Sequence, residues 1–163
     1  MKEEILNGYY QRIAEEIDKA IPCKWSDAAI YVVDVGNSSS LNLVFKEKED
    51  SEYIFSGEFP DIYGMSFDEL DRLEDGIMDE CGKLRNEFIE QDEKPWNIFE
   101  FFINNSGEFK AKFGYEYDID VTDYVRHIVW KYKELGVMPK GSFEQDKLKE
   151  YVDLETGELK KKM

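Results

Sequence analysis

The chain has 163 residues and carries 37 Asp and Glu against 21 Lys and Arg, a formal net charge of −16, with 42% hydrophobic and 15% aromatic residues. That apolar content is too rich for a disordered acidic tail, and the length suits one buried core. The charge repels phosphate backbones and anionic headgroups, which argues against direct nucleic-acid or membrane binding and for a basic protein partner.

Ile5, Tyr9, Ile13 and Ile17 recur every four residues, with Tyr10, Ala14 and Ile21 widening the stripe and Pro22 stopping it. The spacing predicts an amphipathic helix over about 3–20. From Ala28 to Val35 the chain is apolar and β-branched, the run 36–40 supplies turn chemistry, and Leu41, Leu43 and Phe45 alternate with less apolar neighbours. Two antiparallel strands follow from that pattern, and a third is expected from Tyr53 to Phe59, ending at Pro60. Ser66-Phe67-Asp68-Glu69 has capping-box spacing and opens a long helix with Phe67, Leu70, Leu73, Ile77, Cys81, Leu84 and Phe88 as its core stripe. Gly76 and Gly82 each cost about 1 kcal/mol there relative to Ala. Ile98–Ile103 and Glu108–Tyr117 flank Asn104-Asn105-Ser106-Gly107 and form a second hairpin. A helix over about 122–135 carries Tyr124, Val125, Ile128, Tyr132 and Leu135 before Gly136 and Pro139, and Ser142-Phe143-Glu144-Gln145 opens a last short helix by a second capping box.

The order αβββαββαα is that of an α+β fold with an antiparallel sheet of two hairpin regions and about four helices, not of a parallel α/β fold. One domain is expected over 1–154, with a frayed tail over 155–163. The N-terminal Met-Lys-Glu-Glu lacks the basic-then-apolar pattern of a secretory signal, and no stretch approaches the ~20 apolar residues of a membrane span, so a cytoplasmic location is expected. Cys23 and Cys81, far apart and outside any Cys-x-x-Cys or Cys/His grouping, read as small buried apolar residues.

Reactive constellations are sparse. His127 is the one histidine and reads as structural or exposed. Asp118-Ile119-Asp120 is similar to the Asp-x-Asp loop of aspartate-nucleophile phosphotransferases, but the parallel βα context is missing, so the pair is expected to close a strand and cap the next helix. Asp71, Asp75 and Gly76 begin like a calcium loop, yet Leu73 and Gly82 stand where that loop needs oxygen donors. The expectation is a non-enzymatic protein with no cofactor, metal or small-molecule substrate.

The negative charge is unevenly placed. Residues 47–80 hold thirteen Asp and Glu against Lys48 and Arg72, a net −11 in about one fifth of the chain. At about 100° per residue Asp68, Asp71, Asp75 and Asp79 fall on one stripe nearly opposite the apolar stripe of their helix. Their like-charge i,i+4 spacings cost about 0.2–0.5 kcal/mol each. Together with Glu47, Glu49, Asp50 and Glu52 they are the expected docking surface for a basic partner, since a concentrated field speeds encounter and selects partners.

A series of landmarks in order resembles the YezG-like immunity proteins. They are Ile21-Pro22 with Trp25, Pro60 with Tyr63 ahead of Phe67-Asp68-Glu69-Leu70, Leu84-Arg85 with Phe88, Pro95-Trp96, the strand from Phe109 to Tyr115, and the run from Trp130 to Pro139. The resemblance spans most of the chain. It implies an antitoxin of Gram-positive bacteria that binds and silences a nuclease-type toxin exported by type VII secretion, by stoichiometric complex formation and without catalytic residues. The alternative from the residues alone is an acidic adaptor or regulatory domain that binds another basic protein.

Overall fold

A computed structural model describes all residues, Met1–Met163, and has the α+β architecture. The chain divides into two compact units, Met1–Tyr115 and Glu116–Met163.

In the first unit α1 (Glu3–Ala20) precedes β1 (Asp27–Asp34) and β2 (Ser39–Lys46). A two-residue β3 (Ile54–Phe55) leads through a 3-10 turn (Ser56–Glu58) into a short α2 (Phe59–Tyr63), then α3 (Phe67–Glu90), β4 (Ile98–Asn104) and β5 (Phe109–Gly114). The sheet order is β3-β2-β1-β4-β5, antiparallel throughout, with Ile30 opposite Leu43 on one side and Phe101 on the other. Both hairpins are present as expected. β5 stops at Gly114 rather than Tyr117.

The third strand is a correction. Only Ile54 and Phe55 pair with β2, because Glu58 Oε2 accepts from the Phe55 amide at 2.9 Å and turns the chain, and Pro60 then sits in the first turn of a helix, where its missing N–H costs nothing. Phe59, fully buried, packs edge-on to Phe45 at 5.5 Å, so burial of its ring favours the turn over a longer strand.

One sheet face, with Ala28, Ile30, Val32, Leu43, Phe45, Phe99 and Phe101, forms the core with Ile13 and Ile17 of α1 and Leu70, Leu73, Ile77, Cys81, Leu84 and Phe88 of α3. Ala29, Tyr31, Val33 and Val44 on the other face are buried as well, so β1 is apolar at successive positions instead of alternating. Tyr10 seats α1 on the sheet, its ring 5.2 Å from Phe109 and 5.7 Å from Phe101, and Phe88 seats α3 on Phe113 at 5.1 Å. Burying each large apolar side chain of the α3 stripe is worth about 1.5–3 kcal/mol, which outweighs the two glycines and the repelling aspartates of the same helix. A Cβ at Gly76 would lie 2.7 Å from Glu16 Oε2 of α1, the far end of a flexible side chain that would have to shift.

Two expectations for the unit are corrected. Phe67 is 69% exposed and no part of the core, because it lies one turn before the first buried residue of α3, Leu70. Cys23 is only half-buried, near Tyr63 Oη at 3.6 Å, whereas Cys81 is fully buried, and desolvation pushes its thiol pKa well above the usual range.

The second unit holds α4 (Asp123–Leu135) and α5 (Ser142–Tyr151). Thr122 Oγ1 accepts from the Val125 amide at 3.3 Å and Gly136 ends α4 in a left-handed conformation. Val121, Val125, Ile128, Val129, Leu148 and Val152 make its core. Tyr124, expected on the apolar stripe, is 51% exposed and donates to Glu144 Oε1 at 2.7 Å. The expected capping box of α5 does not form: Gln145, its reciprocal member, donates Nε2–H to the Pro139 carbonyl at 2.8 Å. Gly141 takes the cap position, where a side chain would collide with the Glu144 carboxylate, and Ser142 becomes the first helical residue. Within residues 155–163, Leu159 bridges Val152 and the Lys160 amide donates to the Tyr151 carbonyl at 2.7 Å.

Candidate partner-binding surface

The two units differ sharply in charge. Residues 1–115 carry twenty-six acidic and twelve basic side chains, net −14, and residues 116–163 carry eleven and nine, net −2. The field of the protein therefore originates in the first unit.

Within that unit α3 sets the geometry. Ser66 Oγ accepts from the Glu69 amide at 3.1 Å, which fixes the first turn, while the Glu69 carboxylate pairs with Arg72 at 2.8 Å instead of completing the reciprocal half of the box. From that start the stripe Leu70, Leu73, Ile77 is buried, and Asp68, Asp71, Asp75 and Asp79 all face solvent. Glu74 departs from this pattern. It turns toward the 3-10 segment and accepts from Ser56 Oγ at 3.1 Å. Burial raises its pKa, the Ser56 bond opposes that shift, and Asp71 and Asp75 add to it.

Glu47, Glu49, Asp50 and Glu52, on the connection between β2 and β3, are exposed. One side-chain bond ties this connection to the helices: Tyr63 Oη donates to Glu47 Oε1 at 2.7 Å. Tyr63 is the last residue of α2, and three residues later Ser66 caps α3, with Gly64 in a left-handed conformation between them (φ 68°). Glu47 is thus drawn to Tyr63 at the α2–α3 junction. Glu49, Asp50 and Glu52 stay on the connection itself, where the Glu49 carbonyl accepts from Lys46 Nζ at 3.4 Å. Sequence reasoning missed Tyr63 as an organiser of the acidic segment, because nothing in its spacing pairs it with Glu47.

Elsewhere the chemistry is quiet. No three His, Cys, Asp or Glu side chains converge to hold a metal ion. Asp118 and Asp120 lie in a turn in which Asp118 Oδ1 accepts from the Asp120 amide at 2.9 Å, and Thr122, not either aspartate, caps α4. An open groove of about 250 Å³ beside the β4–β5 turn is lined by Asp27, Tyr53, Phe102, Asn104, Glu108 and Lys110, a mixed polar and aromatic set. His127 is mostly enclosed, with its pKa lowered to about 4 by desolvation and by Lys131. No helix is long and apolar enough to cross a membrane.

The acidic segment 47–80, the capped α3 and the α4 ending at Gly136 lie inside one stretch, residues 6–149, that matches the family described as immunity protein YezG-like. The chain belongs to the YezG-like immunity protein family. It is 28% identical over 156 residues to immunity protein YezG of Bacillus spizizenii, covering 94% of this chain and 97% of that protein. Immunity protein YezG of Bacillus subtilis is 26% identical over 152 residues, covering 91% of this chain and all of the relative. The type VII secretion system protein EsaG of Staphylococcus aureus is 30% identical over 152 residues, covering 91% and 92%. Among YezG-like landmarks, Trp96 is fully buried and Arg85 Nε donates to its carbonyl at 2.8 Å, so these residues serve the fold.

Proposed function

We propose that the protein is a cytoplasmic antitoxin that binds and neutralises a cognate secreted toxin, a nuclease with a basic substrate-binding surface, in a stoichiometric complex, with residues 1–154 acting as one functional module. The observation that carries the reading is the placement of charge. Eight exposed carboxylates lie in a segment of net −11: Asp68, Asp71, Asp75 and Asp79 on α3, and Glu47, Glu49, Asp50 and Glu52 on the β2–β3 connection, which Tyr63 at the end of α2 holds through Glu47. A nuclease presents cationic side chains to phosphate, and a fixed array of carboxylates competes for them without any chemistry. The family membership and the type VII name of one relative support the same reading. Catalysis is no part of it.

The test is co-expression with the toxic domain encoded beside this gene, scored for survival and for copurification. Rescue together with a stable complex supports the reading, whereas survival without complex formation, or no rescue from an active toxin, removes it. Charge reversal at Asp68, Asp71, Asp75 and Asp79 together is expected to slow association and flatten its salt dependence. Unchanged binding and salt dependence would rule out this surface as the contact.

A further inference from the structure

Two large apolar side chains stand in solvent in the middle of the acidic segment. Phe67, the first residue of α3, is 69% exposed, and Ile62, near the end of α2, is 50% exposed. Four residues separate them, and the left-handed Gly64 lies in that link. Their neighbours are acidic: Asp61 precedes Ile62, Asp68 follows Phe67, and Asp71 lies one turn further along α3. On a helix Phe67 stands about 60° from Leu70 and about 40° from Asp71 in the other direction, so its ring marks the border between the buried stripe and the acidic stripe.

Folding does not account for a phenyl group there. The ring is largely uncovered, and phenylalanine is a poorer helix former than alanine. A large apolar group rimmed by carboxylates is instead the composition of a binding site, with a desolvated anchor inside a charged border. The charge defines what covers it. An arginine suits both parts at once, because its planar guanidinium lies on an aromatic face while its N–H groups fork to a carboxylate, and residues three and four apart on a helix are neighbours.

We infer that Phe67 and Ile62 are the apolar anchor of the toxin-binding surface and that the element covering them is an arginine-bearing basic face, one guanidinium lying on the Phe67 ring and hydrogen-bonded to Asp71 or Asp68. This rests on the toxin-binding reading above. The anchor sets how long the complex lasts, and the surrounding carboxylates set how fast it forms.

The experiment measures association and dissociation rates of the full chain with the toxic domain encoded beside its gene, at several salt concentrations. The double variant Phe67→Ala/Ile62→Ala is expected to dissociate about 10–100-fold faster, with its association rate and salt dependence close to those of the wild type. Phe67→Trp keeps an aromatic face and is expected to restore slow dissociation, whereas Phe67→Leu keeps apolar area without that face and is expected not to. Leucine binding as well as phenylalanine overturns the stacked arginine. A double variant that dissociates like the wild type overturns the anchor and leaves the toxin-binding reading standing, and a wild-type chain that does not bind overturns both. Thermal midpoints of the variants are expected to match the wild type, since neither side chain is buried.

Discussion

Tyr63 Oη donates to Glu47 Oε1 at 2.7 Å, so a side chain at the end of α2 holds the acidic connection between β2 and β3. Partial burial and this same carboxylate raise the Tyr63 pKa, and the phenol keeps its proton through the neutral range. Tyr63→Phe removes the bond and leaves the ring, whose packing against Phe45 and Phe59 is retained. The expected global cost is about 1 kcal/mol or less. Hydrogen exchange of amides 47–52 is expected to accelerate while that of α3 stays unchanged, and equal protection of the connection in both proteins would contradict the clamp.

His127 makes stability depend on pH. Its pKa falls from 6.5 to about 4, chiefly because burial disfavours the charged ring and secondarily because Lys131 repels it, against a smaller opposing effect of Asp123. Between those values the unfolded chain binds a proton that the folded chain does not, so stability present above pH 6.5 is lost as pH falls toward 4, by on the order of 3 kcal/mol. His127→Gln is expected to flatten that part of the curve relative to the wild type. Parallel unfolding midpoints of the two proteins between pH 7 and 4 would contradict it.

The two helical glycines of α3 are expected to respond differently. A Cβ at Gly82 meets nothing within 4 Å, whereas one at Gly76 meets the Glu16 carboxylate. Gly82→Ala should therefore stabilise by about 0.5–1 kcal/mol through helix propensity alone. Gly76→Ala should yield less, because Glu16 must move away from its place beside Lys19, 3.2 Å distant. Urea denaturation of both variants decides the order, and an equal gain would show that Glu16 moves freely.

Glu74 of α3 turns toward Ser56, and its pKa, raised chiefly by burial, means that its charge opposes folding at neutral pH. Glu74→Gln keeps an acceptor for Ser56 Oγ and removes the charge beside Asp71 and Asp75. At pH 7 the variant is expected to melt at a higher temperature than the wild type. The difference should shrink as pH falls through the folded pKa, where the wild-type carboxyl is itself neutral. A lower melting point at pH 7 would mean that the carboxylate's bond to Ser56 outweighs its burial.

Periodicity made most of the elements legible, because α1, α3 and α4 expose one face and bury another. It reported azimuth and not the height at which a core ends, which is why Phe67 was expected inside and stands outside. The run from Tyr53 to Phe59 has strand-like residues, but Glu58 bonds the Phe55 amide and diverts the chain. Ser142 has capping spacing, yet its partner Gln145 bonds the Pro139 carbonyl and Gly141 takes the cap position. The junction of β1 with β4 is likewise long-range, so two hairpins could be read locally but not the order β3-β2-β1-β4-β5. The charge of the candidate surface is compositional and therefore visible, whereas the bond from Tyr63 to Glu47 exists only once the chain is folded.

The central position of β1 has a consequence for timing. Its partner β4 lies some seventy residues downstream, so a ribosome must deliver residue 104 before the middle of the sheet can close, and residue 114 before the last strand is in place. At about 5–20 residues per second, that is on the order of ten seconds of translation. A partly synthesised copy has α1, α3 and their acidic stripe but lacks the strands that carry Phe99, Phe101 and Phe113 beneath them. The acidic stripe of α3 is therefore fully translated well before the sheet that supports it can close.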